Sequence, residues 1–268
     1  MGTATGRLSS AEPNLQNIPV RRPLGAELRR MFVPSRPDWV LVDADYSQIE
    51  LRVLAHIAGD EVMRAAFRRG ADIHAVTASQ VFRVPLEEVT AELRRGAKAV
   101  NFGIVFGISD YSLSIDIGVT RAEARAYIDA YLENFSGVRD YMKNVVEQAK
   151  KDGYVTTLLG RRRFLPELKS SNFNTRSFGE RAALNTPIQG TAADIIKLAM
   201  NALDAALTRE NLQARLILQV HDELIVECPR EEAERVRAIV KREMESVFPL
   251  DPPLVADAKI GESWYDAK

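Results

Sequence analysis

The chain has one cysteine, Cys228, in 268 residues. That excludes an internal disulfide and suits a reducing compartment. With only three histidines besides, a structural zinc site has too few ligands to draw on. No apolar stretch approaches the roughly 20 residues a membrane span needs, and the start lacks a signal-like pattern, so no membrane partner is expected and a cytoplasmic location is. Charge of one sign is lacking too: 36 Lys and Arg oppose 37 Asp and Glu, for a formal net charge of -1. Bulk charge therefore gives no footprint for a polyanionic partner, and any such contact must be local. The candidate patches are Arg21-Arg22, Arg29-Arg30, Arg68-Arg69, Arg94-Arg95 and Arg161-Arg162-Arg163, each better explained, taken alone, as solvated surface. Repeats and low-complexity segments are absent. What remains is an ordinary globular composition, 46% apolar and 27% charged, long enough for one or two domains with a sizeable core.

Residues 1–38 read as loop and turn, punctuated by Pro13, Pro19, Pro23, Pro34 and Pro37. Trp39 to Ala44 suits a buried strand, and from Gln48 the period changes, with Ile49, Val53, Leu54 and Ile57 on one helical face up to Gly59-Asp60. Residues 60 to about 150 read as mostly helical, including 86–106 and an amphipathic stretch from Arg121 to about Lys151. Tyr154 to Leu159, then Gly160 and the arginines, suggests a small hairpin. Phe178 to Arg209 reads as a helix interrupted near Pro187. Leu216 to Val220 and Leu224 to Cys228 flank His221-Asp222-Glu223 as strand, turn and strand. Arg230 to Val247 is a charged amphipathic helix, and 254–260 a last strand. The class is α+β: an antiparallel sheet with packed helices and a mostly helical insertion.

Three constellations carry chemistry. In Asp43-Ala44-Asp45-Tyr46-Ser47-Gln48-Ile49-Glu50, Asp45 stands where a strand gives way to a helix. It serves either as a helix N-cap or, with the neighbouring carbonyl of Tyr46, as an oxygen ligand for a hard cation. In His221-Asp222-Glu223 two acids sit between apolar strands; this is ordinary turn chemistry, unless the sheet sets Asp222 beside Asp45, when the pair could hold two magnesium ions. In the segment 94–107, Arg94, Lys98, Phe102 and Phe106 recur every four residues, one drifting stripe on a helix. Arg94 to Phe102 spans roughly 12 Å at the helical rise, a length that suits a nucleoside triphosphate and equally an ordinary amphipathic face. Gly103 and Gly107 each weaken that helix by about 1 kcal/mol, and imply close approach by a flat base or by a packed neighbour.

Together these strings, DYSQIELR, RRGAKAVNFG and QVHDE, resemble the A, B and C motifs of family A DNA polymerases. GRLSSAEPNLQNIPVR and NTPIQGTAAD resemble two further segments, and the likeness runs from Thr3 to about Tyr265. The resemblance implies a right-hand polymerase fold with palm in 1–58, fingers in 59–179 and palm again in 180–268. It implies template-directed DNA synthesis in bacterial-type replication and repair, with primer-template DNA and deoxynucleoside triphosphates as partners, two Mg²⁺ ions as cofactors, and a monomer. Asp45 and Asp222 are similar to the metal-binding carboxylates, with Tyr46 as carbonyl ligand and Glu223 as accessory acid. Arg94, Lys98 and His74 resemble the triphosphate-binding set, Lys98 counting also as catalytic. Tyr46, Ser47, Gln48, Phe102 and Phe106 resemble other nucleotide-binding positions, and Glu50 the steric gate against a ribose 2′-hydroxyl. Arg7, Asn14, Asn17, Arg181, Asn185, Gln189 and His221 resemble primer and template contacts, several through the minor groove.

Two departures qualify the likeness. Phe106 stands where the family usually has Tyr. Family members also carry a thumb and an early piece of palm ahead of Gly6-Arg7-Leu8-Ser9-Ser10, and some an exonuclease. With Met1-Gly2 read as a junction, the expectation is weak DNA binding without proofreading. A binding module of negligible catalysis is the alternative, and a phosphohydrolase needing no template a third reading.

Overall fold

The computed structural model describes residues 3–18 and 23–268; Pro19 and the pair Arg21-Arg22 lie outside the described residues. In chain order the elements are α1 (Pro23–Leu28), β1 (Trp39–Tyr46), α2 (Ile49–Ala58), α3 (Glu61–Arg68), α4 (Ile73–Phe82), α5 (Ala91–Val105) and α6 (Asp110–Ile117). Then come α7 (Arg121–Asn134), α8 (Ser136–Asp152), the hairpin β2 (Tyr154–Thr156) and β3 (Arg162–Phe164), and α9 (Phe173–Arg209). β4 (Arg215–Val220), β5 (Glu223–Pro229), α10 (Ala233–Ser246) and β6 (Ala256–Gly261) complete the chain. This is the expected α+β class. Two compact units form, Met1–Ile49 with Ala192–Pro249 and Pro253–Lys268, and Glu50–Thr191 with Leu250–Pro252.

The first unit is built on a four-stranded sheet in the order β4-β5-β1-β6, with every pairing antiparallel. β1 is buried along almost its whole length, as a central strand covered on both faces must be. Its alternate residues therefore have different neighbours. Tyr46 lies on the face of α10, and its hydroxyl donates to the Met244 carbonyl at 2.6 Å. Leu41 lies on the other face, clustered with Val220, Ile225, Trp264 and Ala267. Each buried Leu, Val or Ile there contributes about 1.5–3 kcal/mol relative to exposure. Because the side-chain period is two, Asp43 and Asp45 share the face of Leu41 and interrupt its apolar surface with carboxylates.

The second unit is mostly helical. Thr120 and Glu123 form a reciprocal capping box at the start of α7. Asp60 caps α3 through the Met63 amide at 2.9 Å and reaches the Gly137 amide at 2.9 Å. The close approach needs glycine at 137, since a Cβ there would lie 2.9 Å from Asp60 Cα.

Several expected boundaries change. The stretch from Arg121 to Lys151 is two helices, broken at fully buried Phe135. Its ring packs on Tyr131 at 4.7 Å between centroids, so both helices keep the same apolar phase and read as one. The helix expected from Phe178 begins at Phe173 and runs through Pro187 without interruption. Buried Ala182, Ala183, Ile188, Ala192 and Ala193 line its course, and their packing offsets the roughly 3 kcal/mol that an internal proline costs. The helix expected over 86–106 splits into a 3₁₀ turn at Leu86–Glu88 and α5, which Thr90 caps through the Leu93 amide. Residues expected as plain loop before Trp39 hold α1, with proline first, and 3₁₀ turns at Leu15–Asn17 and Arg29–Met31.

Candidate active site

Asp45 is not a helix cap. It lies inside β1, opposite Glu223 on one side and Asp257 on the other, and α2 begins only at Ile49 after Gln48 turns the chain with a φ of 56°. β4 and β5 meet at His221-Asp222, where His221 has a φ of 55°. The amide of Tyr46 donates to the Asp222 carbonyl at 3.1 Å, so the sheet brings the two residues together. Glu223 is not at the turn tip but is the first residue of β5 and buried. Its Oε1 accepts from Trp264 Nε1 at 2.5 Å and its Oε2 from Lys268 Nζ. Lys268 Nζ also stands 3.7 Å from Asp45 Oδ2.

Four acids crowd this corner. Burial, and then the charge of Asp222, push the Asp45 carboxyl up to about 7. Asp43, deeper on the same strand, is pushed up to about 9 by burial and then by Glu223. Neither Asp43 oxygen has a donor among the described residues, which an ionised carboxylate could not sustain at 4% exposure. As the neutral acid it instead donates to Glu223. Burial opposes ionisation of Glu223, yet Lys268 and the hydrogen bonds from Asp43 and Trp264 bring its carboxyl below the usual range. Protonated Asp43, ionised Glu223 and cationic Lys268 thus form one chain of charge compensation.

The donor set suits a hard cation. Asp45 Oδ1 is buried without a hydrogen-bond partner among the described residues, and an open cavity of about 790 Å³ adjoins Asp45, Tyr46, Ser47 and Lys268. No three His, Cys, Asp or Glu side chains among the described residues converge as a cage. A hard divalent ion can be held by one or two carboxylates, with water and substrate oxygen filling its shell.

In the second unit α5 presents exposed Arg94 and Lys98 with half-buried Phe102. Phe106 is the C-cap and not a helical position; its amide still reaches the Phe102 and Gly103 carbonyls. Gly103 is explained by a packed neighbour: a Cβ there would lie 2.8 Å from Ile108 Cγ2. Arg94 pairs with Asp72, which also caps α4 through the amides of His74 and Ala75. His74 is buried, 5.9 Å from Phe102 between ring centroids. Asn101 Nδ2 lies 3.1 Å from His74 Nδ1; as the amide is a donor, Nδ1 accepts and Nε2 keeps its proton. Burial, and after it Arg94 and Lys98, bring His74 down to about 4, although Asp72 opposes them. The helix therefore presents two cations beside a neutral imidazole, with Asp72 compensating Arg94.

Comparison with known proteins decides the lineage: the model for DNA polymerase family A matches residues 1–266. The chain belongs to DNA polymerase family A. DNA polymerase I of Geobacillus stearothermophilus is 60% identical over 266 residues, covering 99% of this chain and 30% of the relative. DNA polymerase I of Bacillus subtilis is likewise 60% identical. The chain thus spans about 30% of the length of these curated relatives. Among solved structures it is similar to the POL domain of Pol1 from M. smegmatis, in complex with DNA primer-template and dNTP. There the TM-score is 0.96 at 49% identity, covering 99% of this chain and 47% of that one. Family A polymerases generally use divalent metal ions, and no helix among the described residues is long and apolar enough to cross a membrane.

Of the remaining expected residues, Arg7 lies close enough for its charge to act on His221. Exposed Asn14 caps the 3₁₀ turn that holds Asn17, leaving Asn14 Oδ1 on the Gln16 amide at 3.1 Å. Gln16, unmarked in the sequence, donates to the Gln219 carbonyl at 3.2 Å and ties this segment to the acidic hairpin. Ser47 donates its amide to Val255 at 2.8 Å. Glu50 lies in the first turn of α2 and is half-buried. Arg181, Asn185 and Gln189 recur every fourth residue on α9, with Arg181 exposed and the other two half-buried. Sequence reasoning missed Asp43, Trp264 and Lys268. Asp43 alone left a signal, standing two residues before Asp45 and hence on its face.

Proposed function

We propose that the chain carries out template-directed DNA synthesis, adding deoxynucleotides to a primer 3′-hydroxyl with two magnesium ions. The observation that carries this reading is the pairing of β1 with β5, which brings Asp45 beside Asp222 with one Asp45 oxygen lacking a partner among the described residues. Asp45, Asp222 and the Tyr46 carbonyl would hold the metal. Bound there, it supplies Lewis-acid activation of the 3′-hydroxyl and charge stabilisation of the departing pyrophosphate. The chain's own residues do the rest. Arg94 and Lys98 bind the β- and γ-phosphates through charge-assisted hydrogen bonds. Lys98, a cationic donor, would also protonate the leaving group. His74, kept neutral by burial, offers Nε2–H to phosphate oxygen without adding charge.

Phe102 packs against the sugar, with Lys98 Nζ 5.9 Å from its ring centroid. Glu50 excludes a 2′-hydroxyl by occupying its space. Ser47, Gln48 and Phe106 complete the nucleotide contacts. Arg7, Asn14, Asn17, Arg181, Asn185, Gln189 and His221 contact primer and template, where minor-groove donors check pair geometry without reading sequence. On this reading residues 1–58 and 180–268 are palm, 59–179 fingers, and the protein works as a cytoplasmic monomer.

The test is single-nucleotide primer extension at high enzyme concentration and low salt, with magnesium. Addition of the templated base only, lost in Asp45→Asn and Asp222→Asn, supports the reading. Folded protein that adds nothing, or that adds bases regardless of template, contradicts it.

A further inference from the structure

Lys268 is held over the carboxylate cluster by a run of specific packing. After β6 the chain turns back tightly at Gly261, where a Cβ would lie 2.3 Å from the Ala267 amide nitrogen and 2.6 Å from the Asp266 carbonyl carbon. The turn is tied by Ser263, whose carbonyl accepts from the amides of Asp266 and Ala267 at 3.1 Å each. Its hydroxyl donates to Asp266 Oδ2 at 2.6 Å. Trp264 and Ala267, both about 1% exposed, plug into the apolar face beside Leu41, and Phe32 meets Trp264 edge-on at 5.4 Å. Lys259 Nζ donates to the Lys268 carbonyl at 2.9 Å. With the backbone fixed in this way, the Lys268 ammonium reaches Glu223 and stands 3.7 Å from Asp45.

We propose that Lys268 is a resident counter-cation of the carboxylate centre, which holds Glu223 away from the metal and competes with divalent metal at Asp45. The inference rests on the reading of Asp45 and Asp222 as metal ligands. It follows from occupancy and charge. Both Glu223 oxygens are taken, one by Trp264 and one by Lys268, so Glu223 has no oxygen lying open to an ion while Lys268 is in place. A metal at the Asp45 oxygen that has no partner among the described residues meets a positive charge already beside the same carboxylate, and like charges a few ångströms apart repel. Lys268 is thus a positioning residue. It keeps the acids from repelling one another without metal and sets how tightly metal is taken.

The experiment titrates Mn²⁺ into this chain, following the free-ion signal by electron paramagnetic resonance, and melts each protein in EDTA. Removing the competing charge in Lys268→Met is expected to tighten Mn²⁺ binding by about fivefold or more. The same substitution is expected to lower the melting temperature in EDTA, with Mn²⁺ restoring more stability than it gives the wild type. Lys268→Arg keeps the charge and should bind Mn²⁺ within about twofold of wild type. Lys268→Gln, which leaves Glu223 a polar partner, repeats the affinity test independently of any folding defect in the Met variant. Unchanged or weaker Mn²⁺ binding in both neutral variants overturns the proposal. Asp45→Asn separates the two levels. If it abolishes binding while the Lys268 variants match wild type, only the role of Lys268 fails; if it binds like wild type, the metal-site reading fails with it.

Discussion

The corner of the sheet at Asp45 and the face of α5 at Arg94 meet the problem of concentrated charge in opposite ways. Around Asp45 the acids are buried and neighbouring, so burial and mutual repulsion drive Asp45 and Asp43 toward the neutral form, with Lys268 compensating Glu223. On α5 the cations are exposed and spaced a turn apart, and only the imidazole behind them is buried and neutral. A sheet forces its charges into proximity through cross-strand register; a helix separates them along its length. The first arrangement suits a dense cation, and the second an extended anion.

The contrast can be broken by experiment at several strengths. The largest effect is expected from Asp45→Asn: loss of metal-borne charge stabilisation worth several kcal/mol should cut incorporation on the order of a thousandfold, measured by single-turnover extension. A fall of less than about tenfold would make Asp45 peripheral. Arg94→Ala or Lys98→Ala removes one charge-assisted contact of about 1.5–3 kcal/mol, so kcat/KM for nucleotide should drop about ten- to a hundredfold. Unaltered kinetics would leave α5 an ordinary amphipathic helix.

Gly261→Ala puts a methyl group against the Ala267 backbone and should cost about 1–3 kcal/mol in urea denaturation. It should also loosen Lys268 without altering Asp43, Asp45, Asp222 or Glu223. Two further effects are in pH dependence, and they have opposite signs. The raised Asp43 carboxyl makes the folded state bind the extra proton, so metal-free stability falls as pH rises from the ordinary carboxylate range to about 9; Asp43→Asn should flatten that slope. The depressed His74 makes the unfolded state bind the extra proton between about 6.5 and about 4, so stability falls as pH drops through that window, and His74→Gln should flatten that one. Denaturation in EDTA across pH checks both, and parallel slopes in wild type and variant would refute the assignment concerned.

How much of this was legible in the sequence depends on how local each feature is. The strands around His221-Asp222 stood out because apolar β-rich runs flank a polar turn, and the cations of α5 because helical spacing is written into the chain. The break at Phe135 was hidden because both helices share one apolar phase across it. Pro187 misled in the other direction: its local cost is real, but burial of its neighbours outweighs it. At the site, Asp45 and Asp222 could be named but their proximity could not, since register between strands some 180 residues apart is a tertiary fact. Lys268 was invisible for the same reason. Nothing beside it in sequence is acidic except Asp266, and only the turn at Gly261 brings it to Glu223.

The central claim, that Asp45 and Asp222 act as one metal-holding unit, is tested most directly by single-turnover incorporation in Asp45→Asn, Asp222→Asn and the double variant. Residues acting through a shared ion are non-additive. The expected result is that the double variant is no slower than about threefold below the worse single. Losses that multiply, with the double variant falling by the product of the two single effects, would show two independent side chains and contradict the account.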